Sequence, residues 1–145
     1  TIFLTPVRPK PTMRGFPMQF DNVNKPSGIN RVFLAFKNSQ RAFKWLAKNE
    51  AAFKQELLLL ALSLTIISIW QIGIYEKVML LISVLFVIFA EIVNTAIEAT
   101  IDRVGLEIHP LSGLAKDLGS AAVLIALLIC SVVWVAVFIN YIGYF

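Results

Sequence analysis

Three apolar runs dominate the last two thirds of the chain: residues 57–74, residues 78–97, in which Glu91 is the one ionisable side chain, and residues 119–141. Each supplies enough helix, at about 1.5 Å per residue, to cross a hydrocarbon core of about 30 Å. Ahead of them, residues 29–48 alternate on a 3–4 spacing. Ile29, Val32, Phe33, Phe36, Phe43, Leu46 and Ala47 fall on one side, and Arg31, Lys37, Arg41, Lys44 and Lys48 cover much of the rest. A basic amphipathic helix with Phe on its apolar face suits a membrane interface. The pattern predicts an all-α membrane protein, with an amphipathic surface helix over 29–48 and a three-span domain over 49–145, whose spans lie at about 57–75, 78–98 and 119–141. Only residues 71–77 separate the first two spans, so these form an antiparallel hairpin with Trp70 and Tyr75 as interfacial anchors.

Residues 1–28 hold five of the six prolines and show no periodicity, and they read as a disordered amino-terminal tail. Pro6, Arg8, Pro9, Lys10, Pro11 and Arg14 interrupt any apolar core of the secretory-signal kind. Composition supports the membrane reading, since 58% of the residues are hydrophobic and only 15% charged. The charge is also unevenly placed, with ten Lys/Arg against three Asp/Glu in residues 1–56. That bias puts the amino-terminal helix in the cytoplasm, the 71–77 turn outside, residues 98–118 inside and the carboxyl terminus outside. Nucleic acid is the competing partner for so basic a helix, but one that leads straight into a span is better matched to a lipid surface. The single cysteine, Cys130, lies within an apolar run and reads as a packing residue.

Polar chemistry concentrates at one end. On a helix advancing about 100° per residue, Glu91, Asn94, Glu98 and Asp102 fall at about 0°, −60°, −20° and +20°, a single stripe. One reading is a helix-packing face joined by polar contacts. However, an ionisable group inside a span costs about 2.5–3.5 kcal/mol at the bilayer centre and normally marks function. The topology brings Glu50, Glu56, Glu107, His109, Lys116 and Asp117 to the same cytoplasmic interface. Carboxylates at Glu50 and Glu98, with the Asn94 amide, are oxygen donors of the kind Mg²⁺ takes when it bridges protein to nucleotide phosphates. Lys116 balances phosphate charge, and Glu91, the deepest, suits a base that accepts a proton from an alcohol. No glycine-rich phosphate loop or zinc-protease motif is present. Taken alone, Glu50 and Glu56, six residues apart, read as solvated carboxylates, and His109 reads as a surface residue beside the helix-breaking Pro110. A short polar segment around Ser112 and Gly113 leads to the third span.

Three stretches carry a family resemblance. They are Glu91-x-x-Asn94-x-Ala96-Ile97-Glu98-x-x-x-Asp102, then Ser112-Gly113-x-Ala115-Lys116-Asp117-x-Gly119-Ser120-Ala121-Ala122, and the earlier Asn49-Glu50-Ala51-Ala52-Phe53-Lys54-Gln55-Glu56. From about residue 29 to the carboxyl terminus the chain resembles the small prokaryotic diacylglycerol kinases. The resemblance implies a homotrimer of the bacterial inner membrane that moves the γ-phosphate of MgATP to the primary hydroxyl of diacylglycerol, giving phosphatidic acid. It implies Glu91 as general base, Glu50 and Glu98 as Mg²⁺ ligands, and Asn94 and Lys116 at the phosphates. Asp117 and the 107–109 segment, with Glu107 and His109, would contact the nucleoside, and Arg31 and Asn38 would lie near the nucleotide. Glu56, Glu91 and Ser120 would meet the lipid. The chain departs from the family pattern at Asn38, where an aromatic is usual, and at Leu114, where a basic residue is common. Related enzymes phosphorylate undecaprenol, which is the alternative substrate. A single copy leaves its flanks open, so the sites are expected to be shared, with Glu50 from one protomer and Glu91 and Glu98 from its neighbour. The competing reading from another class is a non-enzymatic small membrane subunit. A small transporter is weaker still, with no inverted repeat visible.

Overall fold

A computed structural model describes residues 27–105 and 109–143. Most of the 1–28 tail, and Glu107, lie outside the described residues. Four helices follow in order, α1 (Ile29–Asn49), α2 (Ala51–Ile69), α3 (Ile74–Val104) and α4 (Pro110–Gly143), with no strand among the described residues. The described residues fall into two compact units, one ending at residue 49 and one starting at residue 50.

In the first unit, α1 starts directly after Gly28, whose φ of 64° lies in the left-handed region that glycine adopts without steric cost. Its apolar residues Ile29, Val32, Phe33, Phe36 and Phe43 are all exposed. Lys48 occupies the last turn, where a cation complements the helix dipole, and the Asn49 amide donates to the Trp45 carbonyl at 2.8 Å.

In the second unit, α2, α3 and α4 are each long and apolar enough to cross a membrane. α3 is central and packs on both α2 and α4. Its buried side repeats every three to four residues, Leu80, Ser83, Val84, Val87, Ile88, Ala90, Glu91 and Asn94. Val84, Val87 and Ala90 meet Ala126 and Cys130 of α4, with Leu60, Val123 and Trp134 packed round them. Small residues on both sides let the helices approach closely, which is how spans associate where hydrocarbon surrounds them. Ser83 satisfies its hydroxyl by donating to the Leu80 carbonyl at 2.7 Å, and it also lies 3.5 Å from the Cys130 sulfur. The outward faces carry exposed Leu, Ile, Val and Phe along all three helices, as a lipid-facing surface requires.

Several boundaries differ from the sequence expectation, beginning with α2, which covers Ala51–Ile69 where the first span was expected at about 57–75. The α2–α3 connection is shorter than 71–77, because Glu76 and Lys77 fall in the first turn of α3. There Glu76 folds back over Gly73, where any side chain would collide with it, and its carboxylate accepts from Asn140 Nδ2 at 3.3 Å. Trp70 anchors this end by packing on Phe138 and Tyr141, with ring centroids 6.4 and 5.4 Å away. At the other end, the polar segment around Ser112 and Gly113 is the first turns of α4, not a connector. Pro110 occupies the first helical position, where its missing N–H is no loss, and the Leu111 N–H donates to His109 Nδ1 at 3.2 Å. α3 and α4, with 31 and 34 residues, would each span more than about 45 Å, so both must run beyond a hydrocarbon core of about 30 Å.

Candidate active site

The polar stripe of α3 begins inside the apolar part of the helix and ends in its last turns. Glu91 and Asn94 are buried, at 8% and 9% exposure, while Glu98 and Asp102 are half-buried. The stripe therefore grades from buried to wet along one helix face. The Asn94 side chain lies beside Glu91, and Glu98 and Glu50 both lie within electrostatic range of Glu91.

Two of these neighbours come from α2. Glu50 sits at its N-cap in extended conformation, and its side chain makes no capping hydrogen bond. A carboxylate there is stabilised by the helix dipole and remains available for other contacts. Glu56 is also within range of Glu91 and is only 8% exposed, which corrects its reading as a solvated carboxylate. It is buried because it shares the face of Phe53, Leu60 and Ser63, the side of α2 that packs inward. That 3–4 spacing was present in the sequence but was masked by treating Glu56 only in relation to Glu50.

α4 supplies the cation. Lys116 Nζ lies 2.7 Å from Asp102 Oδ1, joining the last turn of α3 to the start of α4, with the two side chains 38% and 31% exposed. Asp102, read from the sequence as one more member of the stripe, is thus the lysine's partner. Asp117 and Ser120 are exposed on α4. His109 caps α4 as described, and Glu107 lies outside the described residues. Arg31 and Asn38 belong to the first unit, where Asn38 Oδ1 accepts from Arg41 Nη2 at 3.0 Å.

Two buried oxygens, Asn94 Oδ1 and Glu56 Oε2, have no hydrogen-bond partner in the protein. Buried polar atoms are almost always paired, so unpaired oxygens beside clustered carboxylates fit a site that takes a cation or a donor from outside. Among the described residues no three His, Cys, Asp or Glu side chains form a ready metal cage. That donor set still suits Mg²⁺, which binds through one or two carboxylates and the substrate's phosphates. Gly119, a member of the motif in the sequence, has no role assigned to it there. It is buried on α4 directly against the Asn94 side chain.

The family described as prokaryotic diacylglycerol kinase matches residues 37–138. The diacylglycerol kinase of Escherichia coli K12 is 41% identical over 111 residues, covering 77% of this chain and 91% of its own length. That of Haemophilus influenzae is 38% identical over 110 residues, 76% of this chain and 93% of its own. That of Pseudomonas aeruginosa is 36% identical over 114 residues, 79% and 93%. The matched region takes in the α3 stripe, both α2 carboxylates and Lys116, and with three apolar helices arranged round them the chain belongs to the prokaryotic diacylglycerol kinase family.

Proposed function

We propose that the protein is an ATP-dependent lipid kinase that phosphorylates the primary hydroxyl of diacylglycerol to give phosphatidic acid. Beyond family membership, the observation that carries the reading is Glu91, a buried carboxylate in an apolar helix, with the Asn94 amide beside it and other carboxylates around it. A packing role alone would not require three further carboxylates around it.

In the proposed reaction Glu91 takes the proton of the lipid hydroxyl as its oxygen bonds to the γ-phosphorus. The bond from that phosphorus to the β,γ-bridging oxygen breaks, and ADP leaves. Glu50 and Glu98 would hold Mg²⁺, which neutralises charge on the transferred phosphoryl group when bound. Asn94 and Lys116 would orient the phosphates, leaving positioning as the main work of the remaining residues. Asp117 and the 107–109 segment, with Glu107 and His109, would take the nucleoside. Arg31 and Asn38 would reach the nucleotide from α1, and Glu56 and Ser120 would guide the lipid.

The proposed setting is the bacterial inner membrane, with the amino terminus cytoplasmic and the carboxyl terminus outside, supported by the basic bias of residues 1–56. The proposed assembly is a homotrimer with sites at the contacts between protomers. One chain brings its carboxylates into electrostatic range but not into a cage, and its apolar flanks are open.

The test is phosphate transfer from labelled ATP in mixed micelles, comparing diacylglycerol with undecaprenol and including Glu91→Gln. The unmutated protein is expected to make phosphatidic acid, and Glu91→Gln to lose at least about 10²-fold in rate, the lower range for removing a general base. Preference for undecaprenol would change the substrate and keep the mechanism. A folded protein that phosphorylates neither lipid would return the stripe to helix packing.

A further inference from the structure

Asn94 projects from α3 toward α4, and the residue it meets has no side chain. A Cβ built on Gly119 would collide with Asn94 Oδ1 and would lie 3.4 Å from Asn94 Cγ and 3.7 Å from Asn94 Cα. Both residues are buried, so an added methyl could be met only by turning the Asn94 side chain. The same side chain lies beside Glu91, one turn back on α3, and its oxygen, packed against α4, has no hydrogen-bond partner in the protein. It thus sits between a carboxylate and a bare stretch of α4 backbone. Turning it to make room for a methyl would change its placement beside Glu91.

We infer that Gly119 is a positioning residue for the reaction: the absence of a Cβ at this point of α4 gives the Asn94 side chain the space it occupies beside Glu91. This rests on the proposed role of Asn94 at the phosphates. It extends that role to a residue that touches neither substrate nor the reacting atoms. Gly113, one helix face away on α4, provides an internal control, because an added Cβ there meets nothing within 4 Å. Alanine gains helical propensity over glycine at both positions, and more in the interior at Gly119 than in the first turn at Gly113, so propensity does not account for a loss at Gly119.

The experiment is a double-mutant cycle on the full-length protein in mixed micelles, read as initial rate and KM for MgATP, with thermal midpoints taken alongside. Gly113→Ala is expected to keep the unmutated rate. Gly119→Ala is expected to lower kcat/KM for MgATP by about 10- to 100-fold, the scale of an ångström-sized misplacement. In an Asn94→Ala background, where the colliding atoms are gone, Gly119→Ala is expected to cost no more than about twofold further, because the two changes act through one contact. If Gly119→Ala unfolds the protein by itself, the double variant is expected to recover the thermal midpoint of Asn94→Ala. A loss from Gly119→Ala that is equal in both backgrounds overturns the positioning role while leaving Asn94 in place. Asn94→Ala at the unmutated rate would instead sink the phosphate role, and the inference with it.

Discussion

Lys116, proposed to meet phosphate, needs a holder that keeps its charge in place and can release it. Asp102 provides one, with a 2.7 Å contact between side chains that are about a third exposed. A partly exposed pair is worth about 0–1 kcal/mol, little enough for a phosphate to displace. Lys116→Met is therefore expected to lower kcat/KM for MgATP by at least about 10-fold, the scale of one lost charge-assisted hydrogen bond. Asp102→Asn is expected to cost only a few-fold and to leave the thermal midpoint nearly unchanged. Steady-state kinetics with a thermal melt checks both, and equal losses from the two variants would show Asp102 acting on substrate directly. Some of this was legible in the sequence and some was not. Glu91, Asn94, Glu98 and Asp102 share a face by helical spacing alone, so the stripe could be read from one segment. The pairing of Asp102 with Lys116, and of Asn94 with Gly119, crosses from α3 to α4, and no periodicity within either helix encodes the register between them.

The same division runs through the elements. α2, α3 and α4 were readable because runs of about twenty apolar residues have few stable alternatives to a spanning helix. Their ends were less readable. Ser112, Gly113 and the nearby charges suggested a connector before the third span, whereas α4 absorbs that stretch and starts at Pro110. Proline breaks a helix in its interior, but at the first position it begins one as readily as it ends the preceding one. His109 supports this start, its ring nitrogen accepting the Leu111 N–H at 3.2 Å. Replacing it with alanine removes the cap and is expected to cost about 0.5–2 kcal/mol. The thermal midpoint should fall by a few degrees. Because the first turn of α4 positions Lys116 two turns on, KM for MgATP should rise by a modest factor as well. His109→Asn, which keeps an acceptor, is expected to restore most of the stability. A melt unchanged in His109→Ala would mean that Pro110 alone defines the start of α4.

At the scale of the whole molecule, a three-helix protomer has an arithmetic problem. α3 can bury its stripe against one helix on each side, yet α2 and α4 expose apolar side chains along their outer faces, and the carboxylates gather without closing on a cation. A neighbour in a closed ring would cover a flank and contribute to the site there, the arrangement proposed above. Mixing two inactive variants tests it. Let Glu50→Gln and Glu91→Gln protomers be unfolded, combined in equal amounts and reassembled, so that trimers form at random. If each site takes Glu50 from one protomer and Glu91 from the next, a site is intact only when the first is the Glu91→Gln chain and the second the Glu50→Gln chain. Random assembly then gives about one intact site in four, and the mixture should recover about a quarter of the unmutated activity. If each chain supplies both residues to its own site, every site carries one defect whatever the mixture, and nothing is recovered. Because Glu50 lies within electrostatic range of Glu91 in the single chain, that second outcome has a concrete structural basis, and it would assign both carboxylates to one protomer.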